Sequence, residues 1–416
     1  MIGRFGGVGA RKAATPFIFV TGVLDILSLG MMIPVLPLLV KQLVGGDTAD
    51  AAFWGVVFGS TWGLMQFFCS PILGMLSDRF GRRPVLLLSI FGLAVDFLFM
   101  ALAPSIGWLF FGRVINGVCA ASFSTANAYI ADVTAPENRA RAFGMMGAAF
   151  GIGFTFGPIV GGALGDIHER LPFFACAALS AVNWLYGFFV LPESLPPERR
   201  AKAFDWAKAN PLGSLTLLRS HRDLTGLAAI GFLYQLAHVV LPSIFVLYAN
   251  YRYGWSSLNV GLSLMATGIC NIIVQATLVG PVVKRVGERG ALLLGLSMGA
   301  LGFLIYGLAP TGAVYLAGIP VFALMGFTGP GLQGLMTRRV GPREQGRLQG
   351  ANASISGITA IIGPSLFGLT FAWSVRHSTI FHQPGLAIFV ASALMLAAFL
   401  LALTVARTPL PDASLA

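Results

Sequence analysis

The chain has 416 residues, 56% of them hydrophobic and only 10% charged, with a mean hydropathy of +0.80. No soluble domain could hide that much apolar surface inside one core, so the chain reads as a polytopic membrane protein. The formal net charge of +11 does not point to nucleic acid, because the bases are sorted between the two sides of a bilayer, as set out below.

Twelve apolar runs follow one another, at approximately 14–44, 51–76, 83–103, 106–131, 139–165, 171–191, 223–250, 257–283, 290–310, 313–337, 346–372 and 384–406. With both termini on the cytoplasmic side, 22 of the 27 Lys and Arg residues fall in cytoplasmic segments and only Lys41, Arg170, Arg252 and Arg376 in outer loops. The remaining base, Arg113, lies within a run. Arg4, Arg11 and Lys12 precede the first run as in a signal peptide, but the run is longer than an h-region and has no small-residue cleavage site. It is expected to stay as the first helix. All four cysteines, Cys69, Cys119, Cys176 and Cys270, lie inside runs without metal-ligand spacing, so buried free thiols and no metal site are expected.

The first run carries one acid, Asp25, about eleven residues from its cytoplasmic start and so near mid-bilayer at about 1.5 Å per residue. Burial disfavours the charged form of a carboxyl group and a nearby guanidinium favours it. An acid alternating between such surroundings binds and releases a proton, and Asp25 reads as a proton site or as a substrate-binding acid. After the second run, which contains Gln66, comes "GMLSDRFGRRP", with Gly74, Asp78, Arg79, Gly81, Arg82 and Arg83. Asp78 can meet a helix N-terminus or an Arg, and the basic residues hold the cytoplasmic face. Asp96 in the third run and Arg113 in the fourth lie at similar depth on adjacent antiparallel helices, so an ion pair or water-bridged pair is expected. Asp96 then reads either as a coupling acid or as a structural partner for Arg113. Asn116 and Asn127 share the fourth run.

In the fifth run, Gly153, Gly157, Gly161 and Gly165 recur at every fourth position and Pro158 and Gly162 interleave them, a face for close approach by another helix. The second half has no acid inside any run. Its polar candidates are Gln235 and His238 in the seventh run and Asn271 and Gln275 in the eighth, each either an interhelical hydrogen bond or a contact to a large polar–apolar substrate.

The polar stretch 192–222 divides the runs into six and six, giving an expected N-terminal bundle over 1–191, a cytoplasmic linker over 192–222 and a C-terminal bundle over 223–416. The halves match at an offset of 206: "GMLSDRFGRRP" from Gly74 with "GPVVKRVGERG" from Gly280, "PENRARAFG" from Pro136 with "PREQGRLQG" from Pro342, and the "GP" pair at 157–158 with that at 363–364. The expectation is an all-α integral membrane protein of twelve transmembrane helices in two parallel six-helix pseudo-repeats, working by alternating access.

On these residues the chain resembles the major facilitator superfamily, whose loop signature is matched by "GMLSDRFGRRP". In that family the loop latches the two bundles and governs the conformational switch. "GFTFGPIVGG" resembles the antiporter motif of its drug/proton exchangers, and "GRVINGVCAA" its RxxxG motif, with Asn116 where Gln is common. Over nearly its full length the chain is most similar to the tetracycline/proton antiporters, through "VLDILSLGMMIPVLPLL", "YIADVT", "LQGLMTRRVGPREQGRLQG" and "IIGPSLFG" among other stretches. The resemblance implies functional roles for Asp25, Gln66, Asp78, Asp96 and Arg113. Two positions depart from the family: Asn271 stands where a His is usual and Gly299 where an Asp is usual. His238 is outside the family pattern and reads as a replacement titratable group or as a packing histidine.

The leading reading is therefore a proton-coupled antiporter that exports an amphipathic organic compound, tetracycline-like or another drug. Proton coupling would rest on Asp25, Asp96, Arg113 and His238, and substrate contacts on Asp25, Gln66, Asn116, Asn127, Gln235, His238, Asn271 and Gln275. One charge falling through about 100 mV supplies about 2.3 kcal/mol, so no ATPase part is needed, and there is no GxxxxGK[ST] motif. The proton is the coupling ion and no cofactor is expected. The partners are a lipophilic or amphipathic small molecule and the lipid bilayer, without nucleic acid, the chain working as a monomer in the inner (plasma) membrane. The alternatives are a symporter or facilitator on the same scaffold, and a non-transporting scaffold or receptor. An intramembrane enzyme would need a constellation such as HExxH or a close Ser/His pair at matching depth, and none is visible in the sequence.

Overall fold

The computed structural model of the chain describes residues 8–119, 122–134, 139–201, 222–340, 344–378 and 384–406. Arg4, Arg343, Arg407, the prolines that open "PENRARAFG" and "PREQGRLQG", and 202–221 of the polar connection lie outside the described residues. The described residues are almost entirely helical and contain no strand. Hydrocarbon leaves backbone N–H and C=O groups no water to bond, and an α-helix satisfies them within its own segment.

The helices, in chain order, are α1 (Val8–Met32), α2 (Leu36–Leu43), α3 (Thr48–Phe80), α4 (Arg82–Leu102), α5 (Ile106–Cys119), α6 (Ser122–Val133), α7 (Arg139–Ile167) and α8 (Leu171–Val190). They continue with α9 (Arg222–His238), α10 (Val240–Tyr253), α11 (Ser257–Ile273), α12 (Val279–Leu308), α13 (Gly312–Ala323), α14 (Thr328–Thr337), α15 (Gln345–Arg376) and α16 (Leu386–Val405).

Ten helical stretches are long and apolar enough to cross a membrane. One of them, Ser257–Leu308, has 52 residues and leaves helical geometry only at Gly287, which makes it two spans. The pair α5 and α6 supplies one more, so the twelve expected spans are all accounted for.

Several spans expected as single helices are broken, and the breaks have local causes. The first stops at Met32 and resumes at Leu36 around Pro34, whose nitrogen cannot donate to the helix ladder. The seventh is interrupted at Val239, three residues before Pro242. The eighth and ninth were expected to be separated by a loop over 284–289, but helix runs through that stretch apart from Gly287, where φ is 72°. Val274–Leu278 within the eighth is a π-helical turn and Leu324–Phe327 in the tenth a 3-10 turn.

The described chain clusters into two compact units, Met1–Gly46 with Thr61–Asn210 and Trp255–Met265, and Asp47–Ser60 with Pro211–Gly254 and Ala266–Ala416. In the first, α1 packs along α7 and α8, and α4 packs on α8 and α5. The glycine face of α7 meets α1 as its spacing implies: a Cβ at Gly157 would fall 2.8 Å from Gly30 Cα and from the Leu27 carbonyl oxygen. Gly153 lies against Ile26, Gly161 against Met31, and Gly162 against Ser257, so Gly162 serves a second helix. In the second unit, buried Tyr306 and Tyr315 stack with centroids 4.0 Å apart, and Tyr248 donates its hydroxyl to the Tyr306 carbonyl at 3.0 Å.

Candidate functional site

The two acids inside membrane spans are both held by asparagines from a neighbouring helix. On α1, Asp25 is half-buried and its Oδ1 accepts a hydrogen bond from Asn183 Nδ2 of α8 at 2.9 Å. The same amide nitrogen reaches the Thr21 carbonyl at 3.3 Å. Farther along the same seam, the Cys176 thiol donates to the Ser28 carbonyl at 3.1 Å. Asn183 was not among the residues singled out from sequence. The available signal was the cost of a carboxamide in an apolar run, which makes such a group seek a partner.

Asp96 on α4 is fully buried, and its Oδ2 accepts from Asn116 Nδ2 of α5 at 2.7 Å. The other end of the Asn116 amide is also engaged, by the indole N–H of Trp62 at 3.1 Å, so a Trp–Asn–Asp chain crosses three helices. The direct Asp96–Arg113 ion pair expected from their depths is not formed. Arg113, also buried, directs Nη1 to Met32 Sδ at 3.6 Å, while its Nε and Asp96 Oδ1 have no protein partner. Arg113 and Asn116 are one turn apart on α5, and it is the shorter amide that takes the carboxyl group. Chemically the difference matters. An amide N–H donates to an ionised or a protonated carboxyl alike, whereas a bound guanidinium stabilises only the ionised form.

The remaining expected polar contacts are spread over the two units. Gln66 on α3 is half-buried, Asn116 is 1% exposed with both amide ends engaged, and Asn127 on α6 is exposed. In the second unit, Gln235 donates to Ser356 Oγ at 2.9 Å, and Gln275, in the π turn, donates to the Gly326 carbonyl at 3.3 Å. His238 is exposed at the end of α9, its ring 6.2 Å from that of Tyr234, and Asn271 is half-buried. At Gly299, where an acid would be usual in the resembling family, an added Cβ would lie 2.9 Å from Met325 Cγ and also against Met395, so two methionines occupy the space.

The loop signature folds into a charge cluster. Arg82, nearly buried, pairs with Asp78, and bonds Asp132 Oδ2 through Nε at 3.1 Å and Ser77 Oγ through Nη1 at 2.7 Å. Glu193, just past α8, places its carboxylate on the N-terminus of α4, accepting from the backbone N–H of Arg82 at 2.9 Å and of Arg83 at 3.3 Å. Two of the donors that every helix start leaves unsatisfied are thereby met by an anion on the positive end of the dipole. Gly81 has φ of 107° and packs on that carboxylate, while Arg83 Nη2 donates to the Phe188 carbonyl at 2.7 Å. Gly74 has open space around it, and Arg79 lies over the Phe80 ring at 5.5 Å. Asp132 and Glu193 were missed in the sequence because each joins the cluster from a distant segment. Among the described residues no group of three or more His, Cys, Asp or Glu side chains could hold a metal ion.

Twelve helical spans in paired six-helix repeats, with one half-buried and one buried acid inside them, mark a membrane transport protein and not an enzyme. The chain belongs to the Major Facilitator Superfamily, whose family model matches residues 18–364. It is 39% identical over 379 residues to the tetracycline resistance protein, class C, of Escherichia coli, covering 90% of this chain and 93% of that one. It is also 37% identical over 364 residues to the class G protein of Vibrio anguillarum, covering 88% and 91%. Among solved structures it is similar to the human organic anion transporter MFSD10 (TETRAN), with a TM-score of 0.68 and 24% identity over 94% of this chain and 99% of that one.

Proposed function

We propose that this protein is a proton-coupled antiporter that exports an amphipathic organic compound of the tetracycline type by alternating access. The observation that carries the reading is the pair of acids inside membrane spans, Asp25 and Asp96, each held by a carboxamide that bonds it in either protonation state. The similarity to tetracycline resistance proteins over 88–90% of the chain supports this substrate class.

In this reading the functional bundles are 1–191 and 223–416, joined by the 192–222 linker, in the inner (plasma) membrane with both termini cytoplasmic, and the chain works as a monomer. Asp25 carries the exchanged proton. Asp96, Arg113 and His238 assist coupling. Gln66, Asn127, Gln235, Asn271 and Gln275 line the substrate route, and Asn116 reaches it through Asp96. The cluster from Gly74 to Arg83 governs the switch between inward and outward access, and the glycines of α7 hold α1 and α11 at close range.

The test uses inside-out vesicles with an acid interior and tetracycline as the probe. Accumulation that a protonophore collapses, and that Asp25→Asn abolishes while retaining tetracycline binding, is the expected result. Accumulation driven instead by an acid exterior would establish symport. Transport unaffected by Asp25→Asn would overturn the assignment of the coupling acid.

A further inference from the structure

The α1–α8 seam holds more polar groups than its hydrogen bonds use. Thr21 Oγ1, Ser180 Oγ and Asn183 Oδ1 are all buried and have no protein partner. Because α8 runs antiparallel to α1, as the Asn183–Asp25 and Cys176–Ser28 contacts show, they are strung along the seam on both sides of the Asp25–Asn183 contact. Asn183 Nδ2 already touches the Thr21 carbonyl and Asp25 Oδ1, Thr21 is one turn before Asp25 on α1, and Ser180 is one turn before Asn183 on α8. Native proteins leave few buried polar atoms unbonded, and those with no protein partner are met by buried water that makes about three hydrogen bonds. Two hydroxyls, each able to donate and accept, and one amide oxygen that accepts offer bonding sites for water along the seam on either side of Asp25.

We infer that the seam between α1 and α8 binds water and relays the proton to Asp25, with Asn183 as the residue that positions the carboxyl group. A hydronium ion entering the seam gives one proton to the Asp25 carboxylate and leaves as neutral water; release runs the same steps backwards. Asn183 does not exchange a proton itself. Its N–H fixes Oδ1, and its free amide oxygen holds the water beside it. The neighbouring elements add little competition. The titratable groups α8 adds are Cys176, bonded to the Ser28 carbonyl, and Tyr186, one turn past Asn183 and packed with Tyr129 and Met146, and α6 contributes Tyr129, whose hydroxyl is donated to the Pro192 carbonyl at 3.0 Å. Helix α7 presents glycines to α1, and Arg113 of α5 touches α1 at Met32, about two turns beyond Asp25. Among the described residues no ion pair involves Asp25.

This inference deepens the proposed role of Asp25, and it is tested without a transported substrate. The infrared carboxyl stretch of Asp25 is identified as the band that Asp25→Asn removes, and its exchange rate is followed on transfer to D2O. Thr21→Val with Ser180→Ala is expected to slow that exchange about tenfold, as is Asn183→Leu, the effect of losing hydrogen bonds to a charged group. Asn183→Gln, which keeps the amide, is expected to restore much of the rate. Tetracycline uptake driven by an acid interior should fall in the same order. If Asn183→Leu does not accumulate in the membrane, the Thr21→Val/Ser180→Ala pair carries the test. A band that exchanges at the wild-type rate in that pair overturns the seam and leaves the antiporter reading standing. Absence of any band sensitive to Asp25→Asn across the acid range overturns both.

Discussion

Arg82 and Glu288 occupy equivalent positions in the two repeats, 206 residues apart, and carry opposite charges to partners that are themselves 206 residues apart, Asp132 and Arg338. The Arg82–Asp132 contact is 3.1 Å and the Glu288–Arg338 contact 2.8 Å. The positive-φ glycines Gly81 and Gly287, at φ of 107° and 72°, precede the two pairs at the same offset. Even Arg83 and Arg289 follow the pattern, each donating to a carbonyl near the end of its half's last span, Phe188 and Leu403. The repeat has thus kept its backbone turn and its ion pair while inverting the sign.

The inversion does not make the two pairs equally strong. The Arg82 side chain is 11% exposed and has Asp78, Asp132 and Ser77 around it, whereas the Arg338 side chain is 60% exposed. Arg82→Ala should lower stability by about 1.5–3 kcal/mol, the scale of hydrogen bonds to charged groups. Arg338→Ala should cost about 0–1 kcal/mol because solvent screens it. Thermal unfolding in detergent ranks the two, and equal losses would contradict the exposure argument.

Gly81→Ala should be worse than Gly287→Ala. Both force an L-residue to positive φ with extended ψ, 158° and 175°, a region open essentially to glycine alone, at a cost of about 1–3 kcal/mol. At Gly81 the new Cβ also meets the Glu193 carboxylate, whereas nothing lies within 4 Å at Gly287. Displacing Glu193 would free the N–H groups of Arg82 and Arg83, so the loss at Gly81 should shrink when Glu193 is removed first. Melting temperatures of the two single variants and of Gly81→Ala/Glu193→Ala test this.

Within α7 the same substitution should have opposite effects at two positions. Gly157→Ala places a methyl group 2.8 Å from the backbone of α1 and should destabilise by about 1–3 kcal/mol. Gly147→Ala meets nothing within 4 Å and should stabilise by up to about 1 kcal/mol through helix propensity. Thermal shifts of the two variants, read against each other, check the assignment of the packed face.

Arg113→Leu should cost more than Arg113→Leu combined with Asp96→Asn. Asp96 is fully buried with Oδ1 unpartnered, so removing the nearby Arg113 cation strands a buried acid whose remaining hydrogen bond comes from the neutral Asn116 amide. Strictly additive unfolding energies in this cycle would show that the two groups do not interact.

Much of this protein was legible along the chain. The apolar runs, the sorting of Lys and Arg, the repeat at 206 and the spacing of Gly153, Gly157 and Gly161 are linear properties, because a membrane forces every span to satisfy its own backbone and to show its character over about twenty consecutive residues. Asp25, Asp96 and Arg113 were visible for the same reason, as charges against an apolar background. What they bond to was not. Whether Asp96 faces Arg113 or Asn116 depends on helix rotation and side-chain reach, which depth along a span does not specify. The partner of Asp25 is 158 residues away on α8, and Glu193 reaches Arg82 across 111 residues. The number of crossings and the residues that are costly in hydrocarbon are written along the chain, whereas which pairs relieve that cost is set by packing, because a hydrogen bond is made within about 3 Å and packing is what brings distant helices that close.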